Sequence, residues 1–198
     1  MRFILLSLFL VLFLTIILFV FLVLHINFIL LNLFLVAFLI ILLVLLSATW
    51  PPDSPWSPQW RTDYKTAQAI IKLGKIGKAS VVYDLGCGDG EVLIAAAKLG
   101  AKGVGIEIDP LRFFISKIRA KKNGVSDHLR FIKGSFHDYD ISDANVVIVY
   151  LIPKTLNRLL PKFEKELKKG TKIISYRYEM KLKPAKIDKK NRLYMYVA

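Results

Sequence analysis

The sequence predicts an α/β domain with a doubly wound sheet, preceded by an α-helical transmembrane hairpin. Residues 1–48 are almost wholly apolar and contain one charge, Arg2. After residue 61, short apolar runs alternate with amphipathic helical patterns, which is typical of a parallel sheet covered by helices. A glycine-rich turn over residues 86–90 joins the first of these runs to a helix. We therefore divide the chain into an anchor (1–48), a linker (49–61) and a globular domain (62–198).

The apolar segment is too long for one ordinary membrane span. A helix of this length would extend about 72 Å, whereas the hydrocarbon core of a bilayer is about 30 Å thick. Residues 3–24 and 28–46 are each long enough to cross a bilayer, with a more polar stretch between them. We expect two spans, with one continuous tilted span as the alternative. A signal peptide fits poorly, because its apolar region is normally about 7–15 residues long.

Charge predicts the orientation and the partners of the anchor. With two spans both ends lie on one side, and Arg2, Arg61 and Lys65 flank the spans. The positive-inside rule then places the globular domain in the cytoplasm. The basic clusters within 117–122, 162–172 and 181–192 suit anionic lipid headgroups. We do not expect a nucleic-acid partner, because the basic residues lack the interleaved aromatic residues of a strand-binding platform.

The linker and the elements of the domain follow from proline content and periodicity. Four prolines make the linker stiff and non-helical. Trp50 suits the headgroup level, and Trp56 suits either that level or a lip over the active site. Strands are predicted over residues 81–85, 103–108, 129–133, 145–151, 172–178 and 193–197, and helices over 62–73, 91–99, 110–123 and 155–167. Asp109 is expected to cap the third of these helices.

The glycine turn carries the candidate chemistry. Gly86, Gly88 and Gly90 follow a strand and precede a helix, where glycines let a ligand approach the backbone at the carboxyl end of a sheet. Acidic residues surround the turn, Asp84 among them, so a pyrophosphate is disfavoured. The sulfonium and ammonium groups of S-adenosylmethionine (SAM) tolerate such neighbours. Glu107 ends the second predicted strand, where a carboxylate accepts hydrogen bonds from both ribose hydroxyls.

Two further positions complete the candidate site. Ser135 and Phe136 follow the third predicted strand, where an adenine would lie against the aromatic ring. Tyr150 ends the fourth predicted strand, and it either faces the entry of a methyl acceptor as a candidate catalytic residue or is a buried strand aromatic. No cluster of His, Cys and carboxylate residues predicts a metal site. The single cysteine, Cys87, allows no internal disulfide, which suits a reducing compartment.

Residues 81–110, with VVYDLGCGDGE followed by GVGIEIDP, resemble the class I SAM-dependent methyltransferases. Residues 55–58, 145–153 and 167–175 are similar to one subgroup, the small and often membrane-anchored lysine methyltransferases related to the ATP synthase c-subunit lysine methyltransferase, distantly Dot1-like. The resemblance implies a Rossmann-like fold and SAM as the cofactor. Two positions depart from the pattern: Ser135 replaces an acidic residue often found there, and Gln59 replaces a threonine.

These observations predict a SAM-dependent N-methyltransferase that acts on a lysine of a membrane-associated protein. One alternative is a small-molecule methyltransferase whose acceptor, a lipid or a quinone, lies at the membrane surface. Another is a SAM-binding membrane protein without catalytic activity. The identity of the methyl acceptor distinguishes the lysine methyltransferase from the small-molecule methyltransferase. Formation of S-adenosylhomocysteine distinguishes these two enzymes from a protein that only binds SAM.

Overall fold

The computed structural model describes residues 2–48 and 61–198. The chain divides into two compact units, Met1–Trp50 and Pro51–Ala198. The predictions made for most of the linker, including those for Trp50 and Trp56, lie outside the described residues.

The first unit is one continuous helix, α1 (Arg2–Ala48). Its segment Leu10–Leu43, of 34 residues, is long and apolar enough to cross a membrane. The predicted hairpin is not confirmed, because the helix continues through residues 25–27 without a turn. None of these three residues is a glycine or a proline, so nothing in the local sequence interrupts the helical hydrogen bonds.

The second unit contains a seven-stranded sheet with the strand order β3-β2-β1-β4-β5-β7-β6. The first five strands are parallel, and β7 is antiparallel to both of its neighbours. This sheet confirms the predicted Rossmann-like α/β fold. The strands are β1 (Val81–Leu85), β2 (Lys102–Glu107), β3 (Leu129–Lys133), β4 (Val146–Val149), β5 (Lys172–Tyr176), β6 (Lys186–Asp188) and β7 (Leu193–Val197).

Four helices cover the sheet: α2 (Tyr64–Gly74), α3 (Glu91–Ala97), α4 (Pro110–Lys122) and α5 (Pro153–Glu166). The Asp109 carboxylate accepts hydrogen bonds from the backbone N–H groups of Leu111 (2.8 Å) and Arg112 (3.2 Å). The predicted capping role of Asp109 is therefore confirmed, and the cap fixes the start of α4 directly after β2.

Apolar layers lie on both faces of the sheet. Along β1, Val82 belongs to the layer that contains α2 and α3, whereas Tyr83 and Leu85 belong to the layer that contains α5. This alternation is the two-residue period of a strand that is buried on both faces. The neighbours of β1 are β2 on one side and β4 on the other, so the direction of the chain through the sheet switches there. In doubly wound sheets, ligands bind at the carboxyl end of such a switch point.

Candidate functional site

A cleft with about 520 Å³ of empty space, open to solvent, lies at the carboxyl ends of β1, β4 and β5. Its walls combine the glycine turn, carboxylates and two tyrosines. Its lining residues include Asp84, Gly86, Gly88, Asp89, Glu91, Tyr150 and Tyr176. The cleft therefore joins the predicted cofactor motif to the predicted acceptor side of the sheet.

The glycine turn has the left-handed backbone that its sequence predicts. The φ angles of Gly86, Gly88 and Gly90 are 83°, 55° and 78°, a region that residues with a side chain rarely adopt. The N–H of Gly86 donates to the carbonyl oxygen of Ile106 at 2.8 Å, which ties the start of the turn to β2. Gly90 is the N-cap residue of α3, so the turn leads directly into that helix.

Arginines neutralise two of the acidic residues of this turn. The Asp89 carboxylate pairs with Arg61, which precedes α2, and with the Nη1 atom of Arg119 on α4 at 2.8 Å. Arg119 also donates to the carbonyl oxygen of Asp89 at 3.1 Å and pairs with Glu91. A single guanidinium thus holds the backbone and two side chains of the turn in place.

Asp84 is the buried carboxyl group of the cleft, with 6% of its surface exposed. Burial raises its pKa to about 7, and the negative charges of Glu107 and Asp89 contribute to the same shift. A carboxyl group in this state is stabilised in its charged form when a cation enters the cleft. The structure therefore supplies a site that favours a positively charged ligand near neutral pH.

Glu107 lies next to the turn and is also buried. Its Oε2 atom accepts a hydrogen bond from the N–H of Gly88 at 2.8 Å, and its Oε1 atom accepts one from the N–H of Asp109 at 2.9 Å. Each carboxylate oxygen has a second lone pair available for a further donor. The side chain is thus held rigidly while it keeps the capacity to bind the two hydroxyls of a ribose.

The structure does not bring every predicted residue into this cleft. In the described part of the chain, Gly90, Glu107, Ser135 and Phe136 are not among its lining residues. The Oγ atom of Ser135 accepts from the N–H of His137 at 3.3 Å, and Phe136 packs against the apolar layer that contains α5. The segment after β3 nevertheless lies close to Glu107, whose carbonyl oxygen accepts from the N–H of residue 134 at 3.0 Å. An adenine contact of Ser135 and Phe136 stays a prediction.

Two tyrosines form the other end of the cleft. The ring centroids of Tyr150 and Tyr176 are 4.4 Å apart, and the rings are inclined by 55°. The guanidinium carbon of Arg177 lies 5.8 Å from the first ring centroid and 5.9 Å from the second. Burial raises the pKa of Tyr150 above its usual value, although the charge of Arg177 partly opposes this shift. The Tyr150 phenol therefore stays protonated near neutral pH.

Tyr176, Arg61 and Arg119 are parts of the site that the sequence does not predict. Tyr176 ends β5 as Tyr150 follows β4, so the same reasoning about strand ends would have found it. The two arginines gave no such signal, because each reaches the glycine turn from a position about 30 residues away in the chain.

The arrangement fits SAM. The buried carboxyl group of Asp84 suits its cationic amino-acid part, and Glu107 suits its ribose. Gly86 lines the cleft, is exposed and has no side chain, so a ligand can approach its backbone closely.

Comparison with known proteins gives consistent results. Residues 84–186 match the ANTKMT methyltransferase domain. A protein-lysine N-methyltransferase of Saccharolobus islandicus (strain REY15A) is 39% identical over 129 residues, which cover 64% of this chain and 80% of that protein. The ATP synthase c-subunit lysine N-methyltransferase of Xenopus laevis is 30% identical over 124 residues, or 63% of this chain. The chain spans only 53% of the length of that second relative.

A solved structure is similar over the same region. The crystal structure of an RNA methyltransferase from Salinibacter ruber in complex with S-adenosyl-L-homocysteine superposes with a TM-score of 0.68 and 34% sequence identity. The match covers 70% of this chain and 93% of that protein. S-Adenosylhomocysteine is what remains of SAM after its methyl group has been transferred.

Proposed function

The chain belongs to the ANTKMT methyltransferase domain family and is a SAM-dependent methyltransferase, and on this premise we propose that it methylates a lysine side chain of a membrane-associated protein. The observation that carries the proposal is the cleft itself, where a buried acidic cofactor end meets an aromatic acceptor end. Two relatives named as lysine N-methyltransferases support a lysine as the acceptor.

The cofactor end is assigned as follows. SAM supplies an electrophilic methyl group on its sulfonium. Asp84 binds the cationic amino-acid part, and Glu107 binds the ribose from a position fixed by two backbone N–H groups. The turn contributes its exposed backbone, and the segment after β3 contacts the adenine. The proposed cofactor residues are Asp84, Gly86, Gly88, Gly90, Glu107, Ser135 and Phe136.

The acceptor end must bind a neutral amine, because a protonated lysine has no lone pair for the attack. Partial burial of the tyrosine pair disfavours an ammonium ion by desolvation. The nearby positive charge of Arg177 also disfavours a second cation at this end of the cleft. Tyr150 and Tyr176 orient the side chain of the acceptor, with Tyr150 as the proposed catalytic residue. Most of the rate enhancement then comes from alignment of the amine with the methyl group.

The anchor explains why the acceptor would be associated with a membrane. Residues 1–48 hold the protein in a bilayer, residues 49–61 act as a linker, and residues 62–198 form the catalytic domain. The long apolar helix supports this organisation. Arg61 and Lys65, which follow the apolar segment, support a cytoplasmic position of the domain by the positive-inside rule. The net charge of +14 supports contact with anionic lipid headgroups.

A methyl-transfer assay on membranes tests the proposal. The full chain is incubated with SAM that carries a labelled methyl group and with membranes from cells that lack the protein. Protein, lipid and RNA fractions are then counted separately, and the protein fraction is hydrolysed to identify methyl-lysine. We expect label in methyl-lysine with the wild type and its loss with Glu107→Ala. The matched control is Glu164→Ala, which removes an exposed glutamate from α5.

The other fractions test the competing functions. Label in lipid would favour a small-molecule methyltransferase that acts on a lipid or a quinone. Label in RNA would favour the activity for which the Salinibacter ruber neighbour is named. SAM binding without label in any fraction, and without S-adenosylhomocysteine, would favour a SAM-binding membrane protein. Each of these three results would contradict the proposal for lysine.

A further inference from the structure

The outward side of α4 carries apolar residues where a surface helix normally carries polar ones. Leu111, Phe114 and Ile118 recur at intervals of three and four residues, so they lie on one side of the helix. Their exposed fractions are 66%, 61% and 41%. The buried residues of the same helix are small, Ser116 and Ala120. Phe113 and Ile115 are half-buried, so α4 carries large apolar side chains on its outward side in addition to those that face the domain.

Lysines accompany this apolar stripe. Lys117, Lys121 and Lys122 are exposed on the same helix, and α4 has no acidic residue. We define the α4 face as Leu111, Phe114 and Ile118 together with these three lysines. Isolated exposed apolar residues are normal on a protein surface, but three on one side of a basic helix are a recognised feature of helices that lie in a membrane interface.

We propose that the α4 face docks on the surface of an anionic lipid bilayer. The apolar side chains would enter the boundary between headgroups and acyl chains, and the lysines would contact the negatively charged headgroups. Charge complementarity selects this occupant, because a protein partner for the face would have to be both apolar and acidic. A bilayer is also the surface that α1 is long and apolar enough to reach.

The α4 face has a defined relation to the cofactor end of the cleft. Arg119 leaves the same helix and pairs with Asp89 and Glu91 of the glycine turn. The cap of α4, Asp109, donates its N–H to Glu107. The helix that lies on the lipid would therefore also hold the cofactor end of the cleft.

A fluorescent probe at position 118 tests the docking in the full chain. The variant Ile118→Cys is labelled with the environment-sensitive dye NBD and reconstituted into vesicles of phosphatidylcholine, with or without phosphatidylserine. The native thiol, Cys87, is buried and is not expected to react. Quenching by lipids with a nitroxide on the acyl chain reports the depth of the probe. The matched control carries the dye at Asp143→Cys, an exposed position in the loop before β4 and outside the basic clusters.

We expect strong quenching at position 118 in vesicles with phosphatidylserine and little at position 143. Replacing all three lysines of the α4 face by glutamine should reduce the docked fraction, since each lysine near an anionic surface contributes about fivefold in partitioning. Equal quenching at the two positions would overturn the proposal, as would quenching that is insensitive to phosphatidylserine and to the three substitutions.

Two other results would also overturn it. Shielding of the probe from both lipid and water would mean that a second copy, another protein or residues 49–60 cover the α4 face. Self-quenching that increases with the protein-to-lipid ratio would identify the second copy. A chain that does not float with vesicles at all would contradict both the proposed anchor and the docking of α4. A chain that floats without quenching at position 118 would contradict the docking alone.

Discussion

The pKa of Asp84 leads to a prediction about the pH dependence of SAM binding. The carboxyl group has a pKa of about 7 in the free protein, because it is buried beside two other negative charges. The cationic part of SAM would favour its ionised form, so the pKa falls when the ligand binds. By linkage, binding then releases a proton, and the affinity increases as the pH rises through the pKa of the free protein.

The magnitude follows from the fraction of Asp84 that is ionised. With a pKa of about 7 in the free protein and one well below 6 in the complex, the affinity should rise about eightfold between pH 6.0 and pH 7.5. At pH 7, binding should release about half a proton. The raised pKa of Asp84 also affects the stability of the fold, which decreases as the pH rises, whereas the affinity for SAM increases. The protonated form is favoured in the folded state, so this contribution to stability is present below pH 3.8 and is lost as the pH rises through 7.

Isothermal titration calorimetry measures both quantities. Titrations in buffers with different enthalpies of ionisation give the number of protons released, and titrations over the pH range give the affinity. Asp84→Asn, which cannot ionise, should bind SAM more weakly and with little pH dependence. Affinities that are equal at pH 6.0 and 7.5 in the wild type, with no proton released, would refute the assignment of Asp84 to the cation.

Three further predictions concern single side chains. Arg119→Ala should weaken SAM binding about tenfold, since it removes partly buried ion pairs of the glycine turn. Arg158→Ala, on the exposed side of α5, should leave SAM binding unchanged. Equilibrium dialysis measures the SAM affinity of both variants. Tyr176→Leu should lower kcat at least tenfold with little change in SAM affinity, in a single-turnover assay with labelled SAM. Gly105→Ala should reduce the free energy of unfolding by about 2 kcal/mol, because the added Cβ would lie 2.7 Å from the Sγ of Cys87; urea denaturation tests it.

Each of these predictions has a contradicting result. Equal SAM affinity in both arginine variants would remove Arg119 from the cofactor site. A Tyr176 variant that loses SAM affinity in proportion to its rate would move that tyrosine to the cofactor end. An unchanged urea midpoint for the Gly105 variant would mean that β2 shifts without cost to accept a methyl group.

The strands were predictable where local pattern and burial coincide. The run at β1 is mostly apolar and lies between a serine and a glycine, and its predicted bounds of 81–85 are those of the structure. β6 (Lys186–Asp188) was missed, because it has three residues, two of them charged, at the edge of the sheet. The hairpin that the sequence predicts for the anchor is not confirmed, since the described residues 2–48 form one continuous helix. A segment that is apolar on all sides contains no periodic signal for where a helix ends.

In the functional site too, residues placed by local spacing could be predicted, and residues placed by tertiary packing could not. Gly86, Gly88 and Glu107 could be predicted because the spacing of a strand, a turn and the next strand fixes their positions relative to one another. Arg61 and Arg119 could not, because only packing of the elements that carry them brings them to the turn. The two arginines also decide which of the acidic residues are available to a ligand.

The pairing of acidic residues with arginines changes the reason for expecting a cationic ligand. From the sequence alone, several acidic residues around the turn appeared to act together against a pyrophosphate. In the structure, Asp89 and Glu91 are paired with arginines, so their charges are largely balanced within the protein. Asp84 is different, since it is buried and its pKa is raised to about 7. The selectivity for a cation therefore depends on the burial of one carboxyl group rather than on the number of acidic residues. Substitution of Asp84 should consequently alter the choice of ligand far more than substitution of Glu91.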